Sequence, residues 1–168
     1  MTPDRRPAPL PDSRVFVSFV RVRFHEIDAL GHVNNAAYLN YLEQAAIDHA
    51  NALGLDMAFL RQRGGMFVAH RHDIVFLQPA LAGDVLRITT WIGEVSGARV
   101  NRHYLIERID PDQDKATITG EIVGYRAEDA RDTIVQATTE WVFVSDAGRP
   151  RRVPADVTDA FAAGSRPD

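Results

Sequence analysis

Apolar and polar residues alternate along most of this chain with a period of two, and along one stretch with a period near three and a half. In that stretch Tyr38, Tyr41, Leu42, Ala45, Ala46, His49, Ala50, Ala52 and Leu53 recur at steps of three and four, which places them on one helical face. Asn40, Glu43, Gln44, Asp48 and Asn51 fall opposite. Gly54 suits a stop just past the last turn, and Asn34 or Asn35 suits the N-cap. The alanines let such a helix sit close to its support, so the pattern predicts a central, largely covered helix.

The period-two segments predict strands. Arg14 to Phe24 is β-branched and aromatic, with Phe16, Val20, Val22 and Phe24 on one face and Arg21 and Arg23 on the other. Met66 to Leu77 follows as a long strand. Val85 to Val95 carries Leu86, Ile88 and Ile92 on one face, and Val100 to Ile109 is its hairpin partner across Ser96-Gly97. Ala116 to Arg126 and Thr133 to Val144 are expected as a second hairpin around the charged tip 127–132, with Gly120 and Gly124 marking a bulge or a close backbone approach. Leu55 to Leu60 is expected to add a short helical turn, and Pro154 to Ala163 a terminal helix. A strand, a helix and five more strands make an α+β domain. The expected divisions are a loose tail over 1–13, one domain over 14–154, and a short C-terminal helix and tail over 155–168.

Composition narrows the function. A chain of 168 residues is ordinarily one domain with a real core. Its net charge of −4 gives no electrostatic case for nucleic acid. Without cysteine there is no disulfide, no thiol nucleophile and no thiolate metal site. No apolar run approaches the ~20 residues that span a bilayer, and the first residues lack the apolar core of a signal peptide. A cytoplasmic protein is the simplest account. No Gly-x-Ser-x-Gly elbow supports a serine hydrolase.

Chemistry concentrates between the first strand and the helix. Asp28, Gly31, His32, Asn34 and Asn35 crowd into eight positions, more polar chemistry than a connection requires. A helix start offers unpaired N–H groups and the positive end of the dipole, which favour a carboxylate, a phosphate or a developing oxyanion. Asp28 lies seven residues before Asn35, and Gly31 permits a sharp turn between them. Spacing alone leaves open whether Asp28 faces that amide or merely caps its turn or pairs with an arginine. His70 and His72 are read on one face of their strand at a spacing found in metal sites, but no third ligand is near. They are expected to line a cleft or a subunit contact, with no metal.

The run Asp28-x-x-Gly31-His32-Val33-Asn34-Asn35-x-x-Tyr38 resembles the signature of the hotdog-fold thioesterases, within them the 4-hydroxybenzoyl-CoA and acyl-CoA thioesterase branch. A second stretch, Asp73 to Asp84, is similar to that family's next strand and turn, and the likeness runs on to about Pro154. The resemblance implies a curved antiparallel sheet wrapped around a long central helix. It implies Asp28 as nucleophile or general base on a thioester carbonyl and the Asn35 backbone N–H as oxyanion donor. Several relatives carry a histidine side chain where Asn35 stands. The His-Val-Asn-Asn run is closer to the plant acyl-ACP thioesterases, whose acid, asparagine and catalytic histidine match Asp28, Leu30 and His32. Leu30 departs from that pattern.

On this resemblance Gly31, Val33, Asn34, Tyr38, His70 and Arg71 are substrate-binding candidates, beside Asp28, His32 and Asn35 as catalytic ones. Asn34 is read as a loop brace and Tyr38 as packing between helix and sheet. Arg71, Arg102 and Arg126 are candidates at the cleft mouth for the CoA phosphates. The expected substrate is an acyl-CoA or acyl-ACP thioester, without cofactor. The expected assembly is a homodimer or homotetramer with active sites at the subunit boundary, binding neither nucleic acid nor membrane. Two rivals share the fold: a hydratase or dehydratase, whose histidine and carboxylate lie in a differently built loop, and a non-catalytic acyl-CoA-binding module, which would lack the acid.

Overall fold

The computed structural model describes residues 15–109, 121–123 and 132–163. In chain order these form β1 (Val15–Arg21), a 3-10 turn (Phe24–Glu26), α1 (Asn35–Ala52), α2 (Met57–Gln62), β2 (Met66–Phe76), β3 (Val85–Ser96), β4 (Arg99–Ile109), β5 (Glu121–Val123), β6 (Thr133–Val144) and α3 (Ala155–Ala163). The strands make one antiparallel six-stranded sheet in the order β2-β6-β4-β3-β1-β5. Its inner face packs on α1, through Leu42, Tyr41 and Ala45 of the helix against Leu86, Ile88, Tyr104, Ile106, Ile134 and Ala137 of the sheet.

Period and burial agree along the helix. Ala37, Tyr38, Tyr41, Leu42, Ala45, Ala46 and His49 are its buried residues, and Leu42 is wholly covered. Burying a leucine fully stabilises by roughly 1.5–3 kcal/mol, so this one stripe anchors the element. Gly54 takes the left-handed conformation at φ 72° and ends it. Ala52, expected on the covered face, is exposed in the fraying last turn.

Two strand expectations change. The second hairpin does not form: β6 is an interior strand between β2 and β4, and β5 pairs with β1 at the opposite edge. Inserted there, β6 meets hydrogen-bonding partners along both of its edges, which a hairpin arm at the sheet's rim would not. The first strand also stops early. After Arg21 the chain turns into the 3-10 segment, where the Glu26 carboxylate accepts from the Arg23 N–H at 2.7 Å, and Phe24 is left 87% exposed. The expected tail 1–13, the Gly120 and Gly124 bulge, Arg126 and most of the tip 127–132 lie outside the described residues.

α2, α3 and the far half of the sheet enclose a second apolar cluster around Leu53, Leu60, Phe143 and Val157. An Arg63–Asp156 ion pair of 2.6 Å ties α2 to α3, and the Arg63 guanidinium lies over the Phe59 ring. β2 forms the exposed edge of the sheet. Among the described residues it pairs with β6 alone, and Val68, Val75 and Phe76 are 40–43% exposed along it.

Candidate active site

The loop between the 3-10 turn and α1 is closed rung by rung. Asn34 N–H donates to the Glu26 carbonyl at 2.8 Å, Ile27 and Val33 form an isolated antiparallel bridge, and Asp28 N–H donates to the His32 carbonyl at 2.8 Å. Gly31 makes the tip with φ 81°, its N–H reaching the Asp28 carbonyl at 3.1 Å. This conformation is open to glycine at little cost. The Tyr41 hydroxyl of α1 donates to the Glu26 carboxylate at 2.7 Å, which fastens the base of the loop to the helix. Burial and that neighbouring carboxylate push the Tyr41 phenol upward, so it stays a donor.

Asp28 divides its two oxygens. Oδ1 accepts from Leu30 N–H at 2.8 Å and sits 3.5 Å from the His32 nitrogen, bracing its own turn. Oδ2 has no hydrogen-bond partner among the described residues, and no arginine pairs with this carboxylate there. Of the readings of Asp28 left open by spacing, the turn cap is seen at Oδ1, while Oδ2 has no hydrogen-bond partner among the described residues.

The helix start is similarly divided. Asn34 is the N-cap; its Oδ1 accepts from Ala36 N–H at 2.9 Å and its carbonyl from Ala37 N–H at 2.8 Å. That leaves the Asn35 N–H, at the first helical position, without an acceptor among the described residues. An unpaired N–H at a helix start is a donor waiting for an anionic oxygen. The closed loop thus carries a free carboxylate oxygen and a free amide in one short, internally bonded piece.

The other sequence candidates separate. The His32 imidazole is half-buried beside this loop and makes no hydrogen bond with a described residue. Val33 is buried in the main core, its N–H on the Ala80 carbonyl at 2.9 Å, so its side chain supports the loop from behind instead of facing a ligand. Tyr38 is likewise 2% exposed and packs on Tyr41 and Phe76.

His70 and His72 do not share a face. A register shift between Ala69 and Arg71 intervenes, so the His72 ring meets the Thr139 hydroxyl at 2.9 Å while His70 lies 3.8 Å from the Glu140 carboxylate. Thr139 and Glu140 are successive strand residues and point to opposite faces. Arg71 is exposed and paired with Asp73 at 2.8 Å. Among the described residues no cluster of three metal-binding side chains occurs.

Arg102 contradicts its expected place at a cleft mouth. It is 3% exposed, held between sheet and helix, with Nη1 2.8 Å from His49 Nδ1 and 3.3 Å from the Thr90 hydroxyl. The guanidinium is the donor, so His49 Nδ1 accepts and the ring proton sits on Nε2. Burial, and then the Arg102 charge, push the His49 imidazole down to about 3. The period of β4 signals this arrangement: Val100, Tyr104 and Ile106 are buried at alternate positions, and Arg102 falls among them.

Beside Arg102 opens an apolar cavity of about 580 Å³ between the C-terminal half of α1, α2 and the sheet, with Ala50, Leu55, Met57, Phe67, Trp141 and Phe161 in its wall.

Comparison with known proteins follows the same lines. Residues 22–161 match the family described as the thioesterase-like superfamily. A chloroplastic acyl-acyl carrier protein thioesterase of Arabidopsis thaliana is 26% identical over 142 residues, covering 84% of this chain and 65% of that protein. The long-chain acyl-CoA thioesterase FadM of Escherichia coli is 32% identical over 82 residues, 46% of this chain and 58% of that one. The chain thus spans about two thirds of the length of these curated relatives, or less.

Among solved structures, a mutant 4-hydroxybenzoyl-CoA thioesterase complexed with 4-hydroxybenzoyl-CoA superposes with a TM-score of 0.71 at 22% identity, covering 89% of this chain and 99% of that one. A 1,4-dihydroxy-2-naphthoyl-CoA thioesterase from Synechocystis gives 0.68 at 19%, covering 88% and 95%. At such identities the likeness is one of fold: an antiparallel sheet around one long helix, the hotdog arrangement. With that architecture and a family match over most of its length, the chain belongs to the thioesterase-like superfamily.

Proposed function

We propose that this protein hydrolyses an acyl thioester, carried by CoA or by acyl carrier protein, to the free acid and thiol. The observation that carries the reading is that one closed loop bears both an Asp28 Oδ2 and an Asn35 N–H without hydrogen-bond partners among the described residues. In the proposed reaction the thioester carbonyl oxygen takes the Asn35 N–H, which gains strength as negative charge develops on that oxygen. Asp28 either attacks the carbonyl carbon, with water then cleaving the resulting anhydride, or deprotonates a water that attacks in its place. Either route expels the thiolate, which leaves as the thiol after protonation.

His32, half-buried and without a hydrogen-bond partner among the described residues, lies between Asp28 and Asn35 in sequence and serves as the proton carrier in this reading. Gly31 and Asn34 act through the backbone they shape, and Val33 and Tyr38 as packing behind it. The relatives named above are acyl-CoA and acyl-ACP thioesterases, which supports the substrate class.

The assembly proposed is a homodimer, or two dimers in a tetramer, built on β2. An eleven-residue edge strand carrying exposed Val68, Val75 and Phe76 presents unpaired backbone and apolar surface together, a combination that isolated sheets avoid. The subunit boundary would then lie beside the active site.

The test is thiol release from a panel of aromatic, short, medium and long acyl-CoAs and one acyl-ACP, comparing wild type with Asp28→Asn. Loss of a catalytic acid–base or nucleophile costs on the order of 10²–10⁴ in rate, and circular dichroism should show the variant folded. Absence of cleavage of every thioester, or an unchanged rate in the variant, overturns the proposal. Binding without cleavage would mark an acyl-CoA-binding protein instead.

A further inference from the structure

Arg102 is a buried cation with no counter-ion among the described residues. Its two hydrogen bonds both use Nη1 and both end on neutral groups, the Nδ1 lone pair of His49 and the Thr90 hydroxyl. Among the described residues no carboxylate makes an ion pair with it, and no acceptor takes its Nε or Nη2. A buried, uncompensated charge is among the costlier arrangements in a protein interior, and binding an anion relieves it.

The surroundings say what kind of anion. Arg102 stands in the wall of the 580 Å³ cavity, whose other lining is mostly apolar and aromatic. That size lies within the roughly 300–1,000 Å³ of sites that enclose small molecules. Ile47 and Met57, 47% and 60% exposed, mark where the cavity meets solvent. Two acids also line it. Asp56 is engaged as the N-cap of α2, accepting from Phe59 N–H at 2.8 Å, whereas Glu43 is exposed and unbonded among the described residues. The cavity therefore has an apolar body, an interior cation and one exposed acid in its wall.

We propose that this cavity binds an apolar or aromatic molecule bearing a carboxylate, with the carboxylate on the Arg102 guanidinium and the apolar part toward Met57. His49 Nδ1 and Thr90 hold Nη1, which leaves Nη2 and Nε to make the two-pronged contact that guanidinium and carboxylate favour. Resting on the thioesterase reading, the same site would select acyl groups whose far end is a carboxylate. α1 supplies the path: Leu39, exposed, and then Glu43 and Ile47 run along one side of the helix from Asn35 toward the cavity, with Glu43 about 12 Å from Asn35 at 1.5 Å per residue.

Trp141 is a built-in reporter, since it lines the cavity and the chain has only one other tryptophan, Trp91 on the opposite face of the sheet. In a Trp91→Phe background, Trp141 emission is followed while octanoate or neutral octanol is added. Octanoate should bind at least about tenfold more tightly than octanol, a charge-assisted contact being the stronger kind, and Glu43→Gln should tighten it further. Arg102→Met should abolish the preference. Because Arg102→Met also removes the partner of His49, Ala58→Phe, which crowds the exposed α2 side of the cavity, is run beside it and should weaken both ligands while leaving the fold intact.

Octanol binding as tightly as octanoate, no binding of either, or an unchanged preference in Arg102→Met overturns the proposal. A second arm compares the CoA thioester of hexadecanedioic acid with hexadecanoyl-CoA, since His49, which holds Arg102, lies 14 residues or about 21 Å along α1 from Asn35. Carboxylate binding with no hydrolysis of either thioester would defeat the thioesterase reading and leave the site standing.

Discussion

His49 makes stability fall with pH in a calculable way. Its imidazole is 4% exposed and held to about 3 by burial and by Arg102, against 6.5 for the unfolded chain. A histidine depressed in this way is neutral when folded, so an unfolded chain binds the extra proton as pH drops below 6.5. Its contribution is complete above about 6.5, shrinks between 6.5 and 3, and reaches its floor below 3. At pH 5 the unfolded chain has gained about 1.5 pH units of proton affinity over the folded one, or about 2 kcal/mol at 1.36 kcal/mol per unit. The comparison is His49→Gln, in which a side-chain carbonyl replaces Nδ1 as acceptor for Arg102 but cannot titrate. Urea unfolding at pH 7 and pH 5, at one protein concentration, should show wild type losing about 2 kcal/mol more than the variant. With an m-value of about 2 kcal/mol/M this is a difference of about 1 M in midpoint shift. His103, which burial also depresses, is common to both proteins and cancels in the comparison. Equal losses in the two would mean that His49 is protonated in the folded state, and the buried Arg102–His49 arrangement would have to be abandoned.

Two further outcomes follow from the loop and the sheet edge. Asn34→Ala removes the side-chain acceptor for Ala36 N–H and should cost about 1 kcal/mol, or about 2–4 °C in Tm by calorimetry; Asn34→Asp should keep the Tm but reduce kcat, because it sets a carboxylate beside the Asn35 amide. Val75→Lys, on the exposed edge of β2, should shift sedimentation from dimer to monomer without lowering helix content, and an unchanged sedimentation coefficient would remove β2 from the interface.

The elements with a strong period were legible before any coordinates. Helix α1, its stop at Gly54 and the strands around Leu86 and Ile106 follow from repeating contacts that each residue makes in the same direction. What sequence could not supply was the order of strands: hairpin proximity is local, whereas the insertion of β6 between β2 and β4 depends on distant partners. Phe24 misled for a related reason, since period two continues through it while the Arg23–Glu26 contact has already turned the chain. In the site, Asp28, Gly31 and the Asn34 cap were visible because they must be polar or glycine for the turn itself. The pairing of His49 with Arg102 was hidden because the two residues are far apart along the chain and each, taken alone, has an ordinary reading.

The place of β6 also bears on how the molecule is made. During synthesis β1, β3 and β4 can zip together as soon as they emerge, but among the described residues β2 has no neighbour in the sheet except β6, which arrives only with residues 133–144. Until then both borders of β2 stay open, apolar and untethered. On a crowded polysome, that interval exposes one nascent chain to the same strand of the next, so translation speed through the segment between β2 and β6 should govern how much protein is recovered intact.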